Sequence, residues 1–470
     1  MGRPVALGLC AALVLGACSS GSSSSTTPSP SGGSPSSSLT HVPPAPQPSG
    51  SEGSEDWLTY FGGPGRSGVD DSSPPLGRPR EAWESPTLDG PVYAQPLVDG
   101  DRVFVATQAD SVYALDAATG EVIWHTNVGE PVPRSLLPCG NIDPTGITGT
   151  PAIDPSSGLL YAVAFVLPGR HELVALDTAT GHVRFRRSFD APGADPLVHQ
   201  QRPALVVANG RVYGAYGGLF GDCGEYHGTV VASALDGRGP LRSYRVPSGR
   251  AAGIWAPPGP TVLPSGDLLV VTGNSFSTSA FDFGNAVIRL SPDLEVLDWW
   301  APANWLTLNA GDVDLGSLSP TALPAGLTFV AGKEGVGYLL RTDELGHIGS
   351  ELFSAPVCDG GGAFGGTAVD PPFLYVPCTS GLTALRLEPG PGFRVAWRGL
   401  GFDAGPPVLA GGAVWTVDTT SGTLHAFDAA TGEERFTADL GQVANFTSPA
   451  ASAGTLYVPA WDHVVAFTGV

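Results

Sequence analysis

Four cysteines in the body of the chain are the residues whose type could support a metal site, a redox centre or a cross-link. They are Cys139, Cys223, Cys358 and Cys378. None of them forms a Cys-x-x-Cys or Cys-x-x-Cys-His pair, which argues against a thioredoxin-like centre, a zinc ribbon and a covalently attached haem. An even set in an exported protein predicts two disulfides, and three connectivities are open.

Motifs of the common hydrolases and nucleotide enzymes are missing from the sequence. It has no Gly-x-Ser-x-Gly elbow, no His-Glu-x-x-His and no phosphate loop, which argues against serine hydrolases, zincins and P-loop NTPases. The histidines are scattered, without metal-ligand spacing. Candidate functional residues must therefore be identified from the positions that the fold gives them.

The N-terminus is typical of a secretory signal. Arg3 gives a positive start and residues 5–15 an apolar run that is too short to span a bilayer. The run ends in Leu15-Gly16-Ala17-Cys18, which resembles a bacterial lipobox. This resemblance implies that residues 1–18 form a lipoprotein signal, in which the Cys18 sulfur receives a diacylglycerol and Cys18 becomes the first residue of the mature protein.

Residues 19–55 are almost entirely Ser, Gly, Pro and Thr, which predicts a disordered linker between the lipid and a folded body over residues 56–470. No later stretch reaches the roughly 18 apolar residues of a transmembrane helix, so acylated Cys18 is the expected contact with the bilayer. The chain is therefore expected to be anchored to the cell membrane, facing the extracytoplasmic side. A formal net charge of -21 argues against nucleic acid as a partner.

A repeated turn sequence decides the fold class. The pattern Ala-x-Asp-x-x-Thr-Gly-x-x-x-aromatic occurs at residues 114–124, 175–185 and 426–436. The Asp side chain is expected to cap the turn, the Gly to adopt positive φ, and the aromatic residue to pack against a neighbouring blade. Each copy therefore predicts a hairpin that joins the third and fourth strands of a blade.

A second mark, a proline or a Gly-Thr step, precedes each predicted innermost strand. It occurs at Pro96, Pro151, Pro203, Pro260, Pro320, Gly366, Pro407 and Pro449. The interval of about 50 residues is that of a propeller repeat. The sequence therefore predicts an all-β, eight-bladed β-propeller of four-stranded antiparallel blades.

The ends of the folded body are expected to meet in the last blade. Only three strands fit between Pro449 and Val470, whereas residues 80–84 read as a fourth strand that lacks a blade of its own. We expect this N-terminal strand to close the ring, which hides sheet edges that would otherwise pair with other chains.

The three repeats resemble the pyrroloquinoline quinone (PQQ)-like, quinoprotein dehydrogenase-like β-propeller repeat family. The resemblance covers residues 56–470 and implies one of two functional classes. One class contains PQQ- and calcium-dependent dehydrogenases of alcohols or sugars, and the other contains cofactor-free lipoproteins similar to the β-barrel assembly factor BamB. The fold alone does not choose between them.

One face of the predicted ring carries the long loops. Loops that join strand four to the next strand one, or strand two to strand three, emerge on the same face, and they include residues 130–147, 217–228, 273–284 and 301–317. All four body cysteines fall on this face. The favoured pairing is Cys139 with Cys223 and Cys358 with Cys378. Each bridge is expected to staple loops and to stabilise the fold by roughly 2 to 4 kcal/mol, because it restricts the unfolded chain.

Several positions on this face are similar to the quinoprotein site. The resemblance implies that Trp255 stacks beneath a quinone, that Asp312 or Asp314 is the catalytic base, and that Lys333 contacts the quinone oxygens. It implies that Asn274 binds calcium, with Asp222 or Glu225 as the acidic ligand. In such a site Ca²⁺ and a cation polarise the quinone while an aspartate takes the substrate hydroxyl proton.

The sequence also departs from the dehydrogenases, since it lacks their adjacent cysteine pair and any haem domain. The leading hypothesis is a lipid-anchored binding or scaffold module without a cofactor, which contacts an envelope protein or a small-molecule ligand through the long-loop face. The alternative is a PQQ- and calcium-dependent dehydrogenase of an alcohol or sugar. The dehydrogenase alternative requires that the site residues come together near the ring axis.

Overall fold

Eight mainly antiparallel sheets form the fold of residues 56–470, the part of the chain that this computed structural model describes. Each sheet contributes one blade of at least four strands, so the predicted eight-bladed β-propeller is confirmed. The predicted signal sequence, Cys18 and the linker over residues 19–55 lie outside the described residues.

The first four blades contain sixteen regular strands, which run in order from the axis outward. Blade 1 has Leu97–Asp99, Arg102–Ala106, Ser111–Asp116 and Val122–Asn127, and blade 2 has Ala152–Asp154, Leu159–Val166, Arg170–Asp177 and Val183–Ser188. Blade 3 has Val206–Ala208, Arg211–Gly218, Thr229–Ala234 and Arg242–Arg245, and blade 4 has Thr261–Val262, Leu268–Val271, Val287–Leu290 and Val296–Ala301.

The remaining blades continue in the same order. Blade 5 has Thr321–Leu323, Leu327–Ala331, Val336–Arg341 and Phe353–Pro356, and blade 6 has Ala368–Asp370, Phe373–Cys378, Gly381–Leu387 and Phe393–Leu400. Blade 7 has Val408–Ala410, Ala413–Asp418, Thr423–Asp428 and Glu434–Asp439, and blade 8 has Ala450–Ser452, Thr455–Ala460 and His463–Thr468 with Arg80–Glu84 outermost. Every first strand begins within three residues of its predicted mark.

Three blades carry an extra short strand that was not predicted from the sequence. His199–Gln200 pairs with the second strand of blade 3, His347–Ile348 adds in parallel to the outer strand of blade 4, and Val69–Asp70 adds in parallel to the inner strand of blade 7. These additions cover backbone groups that a four-stranded blade leaves open.

The repeated turn joins blades as well as strands. In blade 1 the Asp116 carboxylate accepts hydrogen bonds from the backbone N–H and hydroxyl of Thr119, and Gly120 has a φ of +74°. A Cβ on Gly181, the equivalent glycine of blade 2, would lie 2.6 Å from the indole ring of Trp124 in blade 1. The aromatic residue of one blade therefore covers the turn glycine of the next, as the repeat predicted.

The ring is closed as predicted. Arg80–Glu84 pairs antiparallel with His463–Thr468 and becomes the fourth strand of blade 8. Within it, Trp83 is 8% exposed and its Nε1 donates to Ala117 O in blade 1 at 3.0 Å. The N-terminal strand thus links the last blade to the first.

Residues 57–70 form a segment, which we call the axial plug, that lies along the innermost strands. Its backbone bonds to blade 1 through Trp57 and Val98, to blade 2 through Leu58 and Ile153, and to blade 6 through Ser67. The buried Arg66 side chain donates within the plug and to the inner strand region of blade 3. This segment was not predicted from the sequence.

Helical structure is confined to short pieces. The structure has one α-helix, Trp305–Ala310, and the 3₁₀ turns Arg134–Leu136, Pro196–Val198, Leu315–Ser317 and Pro324–Gly326 within residues 56–470. Over the same residues, no helix has the length and apolar character required to cross a membrane.

Candidate functional site

A cavity of about 410 Å³ opens at the ring axis on the long-loop face. Six of the seven family-like residues line it: Asp222, Trp255, Asn274, Asp312, Asp314 and Lys333. Trp255 precedes blade 4 and Asn274 follows that blade's second strand, whereas Asp312 and Asp314 precede blade 5 and Lys333 follows its second strand. The loops of adjacent blades therefore bring side chains far apart in sequence to one place. The convergence that the dehydrogenase alternative requires is present.

An ion pair occupies one wall of the cavity. Lys333 Nζ lies 2.6 Å from Asp314 Oδ2 and 3.6 Å from Asp312 Oδ1. The Asp314 side chain is 8% exposed and that of Asp312 66% exposed. Both predicted candidates for the base line the cavity, and Asp314 is the buried one.

Close backbone packing fixes this pair. Lys333 N donates to Asp314 O at 2.8 Å, which places both residues on one rigid unit. A Cβ on Gly273 would lie 2.3 Å from Asp314 Oδ1. Only glycine at position 273 allows the carboxylate to lie against the neighbouring loop.

Burial governs the electrostatics of the pair. Burial raises the pKa of the Asp314 carboxyl above its usual value, and the Lys333 ammonium opposes that rise. Burial acts to lower the pKa of Lys333, but the Asp314 carboxylate outweighs it and the pKa is raised. The lysine is thus charged at neutral pH, and Asp314 is a stronger base than an exposed carboxylate.

Asn274 is a hydrogen-bond donor to the acids. Its backbone N–H donates to Asp314 Oδ1 at 2.6 Å. With the amide oriented so that its nitrogen faces the carboxylates, Nδ2 lies 2.8 Å from Asp314 Oδ1 and 3.2 Å from Asp312 Oδ1. The two interactions hold the Asp314 carboxylate in one orientation.

Aromatic side chains form the other walls. The Trp255 ring lies 6.4 Å from the ring centroids of Phe364 and Phe446, and its centroid is 6.0 Å from Lys333 Nζ. Phe364 and Phe446 stack at 6.0 Å. Sequence reasoning missed both phenylalanines, although each lies in a loop that joins strand four to the next strand one, as Trp255 does.

Of the two predicted acidic calcium ligands, Asp222 lies at the cavity and Glu225 does not. Asp222 lines the cavity and its Oδ1 accepts a hydrogen bond from the Tyr226 hydroxyl at 2.6 Å. Glu225 is exposed and does not line the cavity. Within residues 56–470, no three His, Cys, Asp or Glu side chains come together as a metal-binding group.

The cysteines pair as favoured. Cys139 bonds to Cys223 and Cys358 to Cys378. The first bridge ties the loop of Asp222 to the loop that follows blade 1, so one edge of the cavity is cross-linked.

A larger groove of about 1020 Å³ lies between blades 5 and 6, at the loops that join strand one to two and three to four. Prolines and arginines dominate its lining, and it contains none of the predicted site residues. The convergent charges and aromatic rings, rather than volume, identify the axial cavity as the candidate site.

Comparison with known proteins agrees with this architecture. Residues 77–141 and 383–469 match the family described as outer membrane protein assembly factor BamB. The chain is a PQQ-like β-propeller. This PQQ-like propeller is 25% identical over 335 residues to a polyvinylalcohol dehydrogenase of a Pseudomonas species, covering 63% of this chain and spanning about half the length of that relative.

Solved structures of both functional classes share the fold of this PQQ-like propeller. A quinohemoprotein alcohol dehydrogenase from Comamonas testosteroni superposes with a TM-score of 0.69 at 17% identity, covering 90% of this chain and 81% of that one. BamB from Moraxella catarrhalis superposes with a TM-score of 0.59 at 15% identity, covering 83% and 99%. These likenesses show the fold, and the function must be argued from the site.

Proposed function

We propose that the axial cavity binds a quinone cofactor of the PQQ type and that the protein oxidises a hydroxyl group of its substrate. The observation that carries this proposal is the Asp314–Lys333 pair beside the face of Trp255. A buried base, a fixed cation and an aromatic surface in one cavity are the groups that a quinone-dependent oxidation needs. The names of the dehydrogenase relatives support the same activity.

The residues present fit a planar anionic cofactor. The cavity volume falls within the usual range for small-molecule sites, roughly 300 to 1,000 Å³. Trp255 offers a ring to stack against, and Lys333 offers a cation for the quinone oxygens. The donors do not fit a calcium ion held by the protein alone, because Ca²⁺ takes 6 to 8 oxygen ligands and Asp222 and Asn274 are both engaged in hydrogen bonds.

Asp314 is the proposed base. It accepts the proton of the substrate hydroxyl as the carbon–hydrogen bond breaks, so that the alcohol becomes a carbonyl compound. When bound, PQQ supplies a two-electron acceptor for the hydride that leaves the carbon. Asn274 holds the carboxylate in place through two donors, and the Lys333 ammonium favours its ionised form by opposing the rise in its pKa.

Titration of the purified protein with PQQ, followed by absorbance with and without added Ca²⁺, tests the proposal. We expect saturable binding that Trp255→Ala weakens at least tenfold, whereas Trp299→Ala, on the outer strand of blade 4, leaves it unchanged. Asp314→Asn should retain binding but lose alcohol-dependent reduction of an artificial electron-acceptor dye. Absence of PQQ binding under both conditions would overturn the proposal.

A non-catalytic binding or scaffold module is the second candidate. Phe220, at the cavity mouth, is 69% exposed, and Phe276 on the same face is 55% exposed. Exposed aromatic side chains of this kind are typical of contact surfaces. For either function we propose export and membrane anchoring through acylated Cys18, based on the lipobox.

A further inference from the structure

Arg202 is a second cation at the axial cavity, and the proposed chemistry does not use it. It lies in the connection from blade 2 to blade 3, directly before Pro203. Its side chain lines the cavity and also a smaller void below, which Tyr60 and Tyr93 line as well. Arg202 therefore lies at the inner end of the cavity, next to the axial plug.

The guanidinium is not part of an ion pair. Among the hydrogen bonds and ion pairs of residues 56–470 none involves the Arg202 side chain, and its Nε is buried without an acceptor. The contact it makes is with the ring of Phe446, whose centroid lies 4.5 Å from Arg202 Cζ. Burial lowers the pKa of Arg202 to about 10, so the group is still charged at neutral pH.

The acids that line the axial cavity are engaged with other partners. Asp222 accepts a hydrogen bond from the Tyr226 hydroxyl. Asp312 and Asp314 pair with Lys333, the other cation of the cavity. Residues lining the void below the cavity are neutral apart from Arg202 itself. Arg202 is half-buried, and desolvation of a charge without a partner is costly. A cation–π contact of about 0.5 to 2 kcal/mol compensates only part of that cost.

The repeat shows that the charge is specific to one blade. At the other seven blades the residue before the opening mark is uncharged. These residues are Gln95, Thr150, Gly259, Ser319, Gly365, Pro406 and Ser448. At this position in other blades, neutral side chains bond to one another. The Gln95 side-chain amide donates to Ser448 Oγ at 2.9 Å, and the Gln95 backbone N–H donates to Thr150 Oγ1 at 2.8 Å.

We propose that Arg202 is an anion subsite that binds the carboxylate of an aromatic acid at the inner end of the cavity. A guanidinium can hold a carboxylate through two parallel N–H donors. The rings of Phe446, Phe364 and Trp255 would contact the flat body of the same ligand. The subsite does not depend on quinone binding, so it can be tested separately from the proposed function.

Benzoate is the probe, and benzamide is its neutral control. Calorimetric titration at pH 7 should show benzoate binding to the wild type, at least tenfold weaker binding to Arg202→Gln, and intermediate binding to Arg202→Lys. Arg242→Gln, which removes an equal charge from a side chain that is 54% exposed, should bind like the wild type. Benzamide should not distinguish any of the four proteins.

Thermal melting separates a ligand site from a structural role. Without ligand, Arg202→Gln should melt no lower than the wild type, because it removes a half-buried charge that has no ion-pair partner. Benzoate should raise the melting temperature of the wild type but not of this variant. Equal benzoate affinity in wild type, Arg202→Gln and Arg202→Lys, or a wild type that does not bind benzoate, would overturn the proposal.

Competition identifies the source of the carboxylate. If PQQ supplies it, PQQ will displace benzoate from the wild type. If a separate acid occupies the subsite, benzoate will bind to the PQQ-loaded protein as well. Each result supports the subsite, and benzoate binding persists even if PQQ does not bind at all.

Discussion

Lys333→Met is the change that most directly tests the electrostatics of the cavity. It leaves the buried Asp314 carboxylate with donors from Asn274 alone. At 4 Å a pair of unit charges interacts by about 4 kcal/mol in an effective dielectric of 20, and desolvation offsets much of this. Because Lys333 is 24% exposed, we expect a loss of unfolding free energy of about 2 to 3 kcal/mol.

Removing the charge of Asp314 should lower the unfolding free energy less than removing the charge of Lys333. In Asp314→Asn, Lys333 can still reach Asp312, whose Oδ1 is 3.6 Å from Nζ. Lys333 is also less buried than Asp314, so its charge is better solvated. The double variant Asp314→Asn with Lys333→Met should be more stable than Lys333→Met alone, since it removes the stranded carboxylate. We expect a coupling energy of about 1 to 3 kcal/mol.

Urea unfolding of the four proteins measures this cycle, because urea, unlike guanidinium chloride, adds no screening salt. The deficit of Lys333→Met should grow with pH. Burial already raises the pKa of Asp314, and removing the ammonium raises it further, so the folded state loses stability as the carboxyl ionises. Additive single effects, or a deficit that shrinks between pH 5 and 8, would refute the reasoning.

Three further changes test the fold and the anchor. Trp83→Ala should lower the unfolding free energy by about 3 to 5 kcal/mol in a urea titration, because it empties the contact between the closing strand and blade 1. Burial raises the pKa of Asp110 to about 8, so Asp110→Asn should gain stability over the wild type by about 1.4 kcal/mol per pH unit between pH 5 and 8 in the same assay. Cys18→Ser should release the protein from the membrane fraction or leave it unprocessed, as judged by fractionation and mass. Unchanged behaviour in any of these assays would contradict the corresponding prediction.

The fold could be predicted because its determinants are local and repeated. The turn glycine at position 120 must adopt positive φ, and its Asp and Thr neighbours satisfy the turn within a few residues. Such constraints appear directly in the sequence. The closing strand over residues 80–84 was also predictable, because the last blade lacked one strand.

The axial plug was not predictable, because its partners are backbone groups spread over the ring. Leu58 O bonds to Ile153 N and Pro64 O to Val262 N, and such contacts impose no pattern on side chains. The walls of the cavity were missed for a related reason. Phe364 and Phe446 act together only after the ring closes, and neither belongs to a repeated motif.

The site residues could be located by family resemblance, but their roles depend on contacts that the sequence does not contain. Asp312 and Asp314 are equivalent as residue types two positions apart. Only the structure distinguishes them, since one is exposed and the other is buried against Lys333. Likewise Asp222 reaches the cavity and Glu225 does not, although they lie three positions apart in the same loop.

The two cations of the cavity separate the functional hypotheses. Lys333 is satisfied by acids of the protein, so its presence is compatible with a purely structural pair. Arg202 forms no hydrogen bond or ion pair with the described residues, so its charge remains available to a ligand in the cavity. A protein that binds benzoate but not PQQ would therefore be a binding module with an acidic ligand, whereas one that binds both and loses turnover in Asp314→Asn would be a dehydrogenase. The two titrations together thus assign the function of the cavity.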